Sequence, residues 1–102
     1  MTTCFLGVDI GTYSSKGVLV REDGALLASH VVPHELAMPR PGWYEHDAED
    51  TWWHDFITIT HALLAQSSVD ATDIASVGVS SISPAIVPLD DTGLALRPAI
   101  LY

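Results

Sequence analysis

Eight consecutive residues near the start, Asp9-Ile10-Gly11-Thr12-Tyr13-Ser14-Ser15-Lys16, carry the densest chemistry in the sequence. Asp9 closes an apolar run, Gly11 marks a bend, and hydroxyls and an amine follow. A hairpin with glycine at its tip lets backbone N–H groups approach a phosphate closely. Thr12 and Ser14 could add hydroxyl donors, and Lys16 a positive charge. A carboxylate repels phosphate, so Asp9 becomes useful when Mg²⁺ or its bound water lies between them. The pattern is not a P-loop, because the Gly-Lys-Ser/Thr ending is missing and a strand, not a helix, follows. The competing reading is a plain polar hairpin turn. An acid ending a buried strand weighs against it, since a buried carboxylate without a partner is costly.

The elements that must hold these residues follow from apolar periodicity. Cys4 to Val8 reads as a strand buried on both faces, Lys16 to Arg21 as a second, and Ala25 to Val32 as a third after the Glu22-Asp23-Gly24 turn. The three make an antiparallel meander. Pro33 to Trp43 holds Pro33, Pro39, Pro41 and Gly42 and reads as a loop. Asp47 is placed as a helix N-cap with Asp50 in a capping-box-like position. Trp52, Phe56, Ile59 and Leu63 form one apolar helical face running to about Gln66. Asp70 to Asp73 is a polar connection with room for one helical turn. Ile74 to Ser80 and Ile86 to Leu89 read as strands, Asp90 to Gly93 as a turn, and Leu94 to Tyr102 as a strand interrupted by Pro98. The fold class is α/β, in the order β-β-β-α-β-β-β.

Composition narrows the function classes. The 102 residues hold 13 acids and 4 bases, a formal net charge of −9, with 48% hydrophobic and 17% charged residues. That excludes a disordered polar chain. With only Lys16, Arg21, Arg40 and Arg97 to neutralise phosphates, it also argues against nucleic-acid binding. A single cysteine, Cys4, excludes an internal disulfide, and within a strand it reads as an inert small hydrophobe. No membrane span or signal peptide is legible, which points to the cytoplasm. The apolar run Ala99-Ile100-Leu101-Tyr102 ends without a cap and reads as the cut edge of something longer; a docked edge strand would look the same.

Four segments together resemble the FGGY carbohydrate kinases, within the actin/sugar-kinase/Hsp70 superfamily. Asp9-x-Gly11-Thr12-x-Ser14-x-Lys16 resembles the family's first phosphate motif. Pro41 to Asp47 followed by Trp52-Trp53 resembles its Gly-Trp-x-Glu-x-Asp loop and helix. Ile74 to Ser80 resembles the strand before the sugar-contacting turn. Leu89-Asp90 to Gly93, then Leu96 to Tyr102, resembles the closing hairpin, with Tyr102 where tryptophan is usual. The resemblance spans essentially the whole chain. It implies the N-terminal portion (residues 1–102) of a ribonuclease H-like, actin-like ATPase fold with a mixed sheet. It further implies ATP-dependent phosphorylation of a sugar or polyol, with Mg²⁺ and ATP as cofactors and room for a homodimer of the full-length enzyme. By position, Asp9 would hold Mg²⁺ or its water, and Gly11, Thr12, Ser14 and Lys16 would face the phosphates. The general base and adenine site of such enzymes lie in later segments, so residues 1–102 alone are expected to be inactive.

Ser81, Ser83 and Trp43 fall where the family's substrate site is built. Family members show Met-His or Arg-Glu at the positions of Ser83 and Pro84, and this chain has neither pair, so the substrate stays open. The serines could instead satisfy a turn's backbone. Trp43 also fits a hydrophobic staple ahead of the Asp47 cap, the reading favoured here. Asp50 and His54, with His46 and His61 nearby, could be weighed as metal ligands, but a solvated acidic helix face accounts for them better. Glu45, Asp47, Glu49, Asp50 and Asp55 are assigned to helix capping and dipole, and Trp52 and Trp53 to packing. Two rivals remain at this point: a non-catalytic actin- or Hsp70-like nucleotide switch, and a short binding module.

Overall fold

The computed structural model describes residues 2–102. Strands β1 (Cys4–Ile10), β2 (Ser14–Arg21) and β3 (Leu26–Pro33) form the expected meander. A helix then crosses over, and β6 (Ile74–Ser81) returns parallel to β1, giving a mixed sheet in the order β3-β2-β1-β6. Alternation along β1 sends Cys4, Leu6, Val8 and Ile10 into the core and leaves Phe5 and Asp9 on the opposite, open face. The helix α1 (His54–Gln66) lays Ile59 and Leu63 on the core face, with Phe56 and Trp52 at its margin. Gly17 allows this approach, because a Cβ there would fall inside the Ile59 side chain.

The helix begins one turn earlier than α1, in a π-helical stretch over Ala48–Trp53. The Asp47 cap forms as expected: its carboxylate accepts the Asp50 N–H at 2.7 Å. The widened turn shows in the His54 N–H, which donates to Glu49 five residues back. The polar connection at Asp70–Asp73 is one 3₁₀ turn closed by a reciprocal Asp70/Asp73 capping box.

Two expectations are corrected. The supposed loop from Pro33 to Trp43 contains β4 (Ala37–Arg40), which pairs with β5 (Trp43–His46) around Gly42 at φ +80°. Proline is tolerated in β4 because it is the outer strand of a second sheet, which β7 (Ala85–Ile86) and β8 (Ala99–Leu101) complete in the order β4-β5-β8-β7. The strands placed at Ile86–Leu89 and Leu94–Tyr102 shrink to β7 (Ala85–Ile86) and β8 (Ala99–Leu101). Between them Pro88 and Pro98 lack an N–H. The Asp90 carboxylate folds the connection on itself by accepting from the backbones of Thr92 and Leu94.

Candidate functional site

The end of the β1–β2 hairpin has two sides. Asp9 pairs in register with Lys16 on β2 and with Ser80 on β6, so the three side chains share the open face. Ser14, two residues before Lys16, shares it by the strand's period of two. The Ser80 hydroxyl donates to Asp9 Oδ1 at 2.8 Å, and among the described residues Lys16 has no ion-pair partner. Gly11 closes the hairpin by donating to the Ser14 carbonyl at 2.9 Å. A Cβ on Gly11 would meet that oxygen at 3.1 Å, so glycine suits the position.

The inner side is a buried polar network. Ser15 faces the core and donates to Asp55 Oδ2 at 2.7 Å. His34 Nδ1 meets the same oxygen at 2.7 Å, and His34 Nε2 lies 2.9 and 3.1 Å from the carbonyls of Gly11 and Thr12. His46 Nε2 reaches the Thr12 carbonyl at 3.0 Å, while its Nδ1 accepts from the Trp52 indole at 3.1 Å. The two imidazoles meet edge to face, 4.8 Å between centroids. Burial holds the His46 imidazole below its ordinary value, opposed by the Thr12 carbonyl and lowered further by His34. The His34 backbone N–H takes the Tyr13 carbonyl at 2.9 Å.

Every carbonyl from Gly11 to Ser14 is therefore engaged. Among the described residues, the N–H groups of Thr12 and Tyr13 have no partner. A turn whose acceptors are engaged and whose donors are left unpaired presents positive partial charge. The Thr12 hydroxyl stands 3.4 Å from the Tyr102 hydroxyl, bringing β8 to the same turn.

The residues expected at a substrate site divide between two cavities. Ser81 and Ser83 line one of about 430 Å³ with Ile10, Trp52 and Val87. Trp43 lines another of about 240 Å³ with Glu45 and Arg97, which form an ion pair. Trp43 is not a helix staple. It is half-exposed at the start of β5, and its ring is covered by the Arg40 guanidinium at 4.9 Å.

Asp55 is not part of a solvated capping cluster, since it is 3% exposed and binds Ser15 and His34. Nor is Glu45, which binds Arg97. His46 has both ring nitrogens occupied, so it cannot ligate a metal without losing the turn. No group of three or more metal-ligating side chains occurs among the described residues. The inner network escaped sequence reasoning, although one signal was present. Asp55 stands four residues before Ile59 and eight before Leu63, on the buried stripe itself.

The pattern of the FGGY family of carbohydrate kinases, N-terminal domain, matches residues 4–102. A glycerol kinase of Beutenbergia cavernae is 34% identical over 103 residues, covering 100% of this chain and 20% of its own length. A xylulose kinase of Klebsiella pneumoniae is 34% identical over 98 residues, covering 96% and 20%. The crystal structure of xylulose kinase from Rhodospirillum rubrum superposes with a TM-score of 0.86 at 34% identity, covering 96% of this chain and 20% of that one. The chain thus spans about a fifth of the length of the relatives it matches. By sequence pattern and by fold, it belongs to the FGGY family of carbohydrate kinases.

Proposed function

We propose that these residues supply the first phosphate-binding turn, and part of the acceptor site, of an enzyme that phosphorylates a sugar or polyol hydroxyl with ATP. The observation that carries this reading is the division of labour at residues 11–14: every carbonyl is engaged, while the Thr12 and Tyr13 N–H groups have no partner among the described residues. The side chains of Ser14 and Lys16 flank the same open face and supply a hydroxyl and the local positive charge. Phosphoryl transfer depends on in-line positioning and charge neutralisation, which a preformed donor turn serves.

Asp9 fits Mg²⁺. Its carboxylate is exposed, one oxygen accepts from Ser80, and the other has no partner among the described residues. An oxygen donor of this kind suits a hard cation that keeps several waters. When bound, the metal supplies charge neutralisation on the transferring phosphates. Asp9 would hold the ion through its waters, and the Ser80 hydroxyl fixes the Asp9 carboxylate. Ser81, Ser83 and Trp43 are proposed to contact the acceptor, in a cytoplasmic setting where ATP is supplied.

The test is phosphate transfer from ATP by the complete polypeptide carrying these residues, across glycerol, xylulose, gluconate and other polyols. Transfer to at least one acceptor, abolished by chelating Mg²⁺, is expected. ATP hydrolysis indifferent to every acceptor would favour a nucleotide switch instead. Residues 1–102 alone are expected to transfer nothing, because the base and the adenine site are assigned to later segments.

A further inference from the structure

The two buried histidines face opposite demands. His46 sits between a carbonyl, which only accepts, and the Trp52 indole, which only donates. It is therefore the neutral tautomer with its proton on Nε2. His34 has acceptors at both ends. Its Nδ1 meets Asp55 Oδ2, which already accepts from Ser15, and its Nε2 meets two backbone carbonyls. The Ser15 hydroxyl also lies 3.4 Å from Nδ1, but its hydrogen goes to Asp55 at the shorter 2.7 Å, so with Asp55 ionised both ring nitrogens donate. The His34 side chain is 6% exposed and that of Asp55 4%, so water does not serve as an alternative partner. Around the pair stand Ser15 from β2, His46 from β5, and His54 on α1, whose Nδ1 is 3.8 Å from Asp55 Oδ1.

We propose that His34 is a positioning residue for the nucleotide. It is a doubly protonated imidazole, balanced by the Asp55 carboxylate, that draws the Gly11 and Thr12 carbonyls inward and so aims the turn's N–H groups at the phosphates. This rests on the nucleotide reading above. The charge on His34 strengthens its bonds to the carbonyls. Asp55 makes that charge tolerable inside the fold, because a buried cation without its counter-ion is strongly disfavoured. The turn is thereby held in its donor-outward form before any ligand arrives, which lowers the ordering cost of binding.

The test compares wild type, His34→Ala, His34→Gln and the remote control His30→Ala in the complete polypeptide. His30 contacts Gln66 at the far end of α1 and touches nothing at the turn. His34→Ala is expected to weaken ADP binding, measured by calorimetry, and to raise the KM for ATP by about tenfold. The KM for the acceptor should stay within about twofold of wild type, since only the phosphate turn is released. His34→Gln, which restores one N–H donor without charge, should recover part of the ADP affinity.

A folded His34→Ala protein that binds ADP as wild type does overturns the proposal and leaves the nucleotide reading standing. A wild type that binds no ADP overturns both. Equal rises in both KM values would mark His34 as merely structural and overturn the proposal. Proton–nitrogen correlation spectra of the wild-type rings need no variant. Two ring N–H groups on His34 against one on His46 are expected, and a single one on His34 overturns the assignment.

Discussion

The inner and outer sides of one hairpin end differ in how fully their hydrogen-bonding capacity is used. On the inner side, Ser15, His34, His46, Trp52 and Asp55 satisfy one another and the turn carbonyls. On the outer side, Asp9, Lys16 and the Thr12 and Tyr13 N–H groups retain capacity for a ligand, with Ser80 the one partner of Asp9 among the described residues. The difference arises from alternation along β2, where Ser15 and Gly17 point in while Ser14 and Lys16 point out. Rigidity and reactivity are thus separated across the thickness of a single sheet. A preorganised site needs both, because a ligand-facing donor is useful only if something behind it fixes its direction.

The contrast breaks most sharply at Asp55. Asp55→Ala removes the counter-charge of His34 and the acceptor of Ser15, and the expected loss is about 3–5 kcal/mol of folding stability. Denaturant unfolding reads this directly. A stable variant that had lost only turnover would mean that the inner side takes part in the chemistry rather than supporting it. Asp9→Ala is the mirror experiment. Its carboxylate is exposed and bonded to one hydroxyl, so thermal stability should barely move. Turnover of the complete polypeptide should fall by about 10²–10³-fold, the scale on which charge-stabilising groups act. Turnover like that of wild type would remove Asp9 from the mechanism.

The outer side was the legible one. Asp9, Gly11, Thr12, Ser14 and Lys16 fall within eight consecutive residues, and a period of two places the side chains of Asp9, Ser14 and Lys16 without knowledge of any distant contact. The inner side is assembled from residues up to 40 positions apart in sequence, and no local periodicity announces such pairings. His34 follows a proline in what reads as a loop, and its role depends on a turn 22 residues earlier. The helix, the meander and a strand after the helix were readable from apolar spacing; the parallel pairing of that strand with β1 and the existence of β4 were not. Prolines that would exclude a central strand are permitted at an edge, and sequence does not say which strand is the edge.

Neighbouring residues on β2 offer a smaller and cleaner version of the comparison. Gly17 lies under Ile59 and Leu63, so Gly17→Ala overpacks the helix against the sheet. The expected cost is about 1–3 kcal/mol. Lys16→Ala, one residue earlier and on the exposed face, should stay within about 0.5 kcal/mol in stability. The same Lys16→Ala change should raise the KM for ATP, which Gly17→Ala should not do in protein that remains folded. If both variants lost stability alike, the two faces would not be independent.

The finest distinction concerns acid. Burial holds His46 below its ordinary value of 6.5 in the folded state, so the unfolded chain binds that proton more readily. Stability contributed by the neutral ring is fully present above about pH 6.5 and declines as the pH falls through the window beneath it. The structural cause is specific: a proton on Nδ1 would set an N–H against the Trp52 indole N–H. Set against His46→Gln, in which His34 and Asp55 are unchanged, the unfolding temperature of the wild type should therefore fall more from about pH 7.5 to about pH 5.5. His46→Gln, which keeps an N–H for the Thr12 carbonyl and does not titrate, should show a flatter profile over the same interval. The depressed carboxylates of Asp23, Asp70 and Asp90 start below 3.8, so their protonation belongs to a more acidic range and does not imitate the effect. Superimposable profiles for the two proteins would show that the inner side tolerates a charged His46, and that its hydrogen bonds are less strictly directed than the Thr12 and Trp52 contacts require.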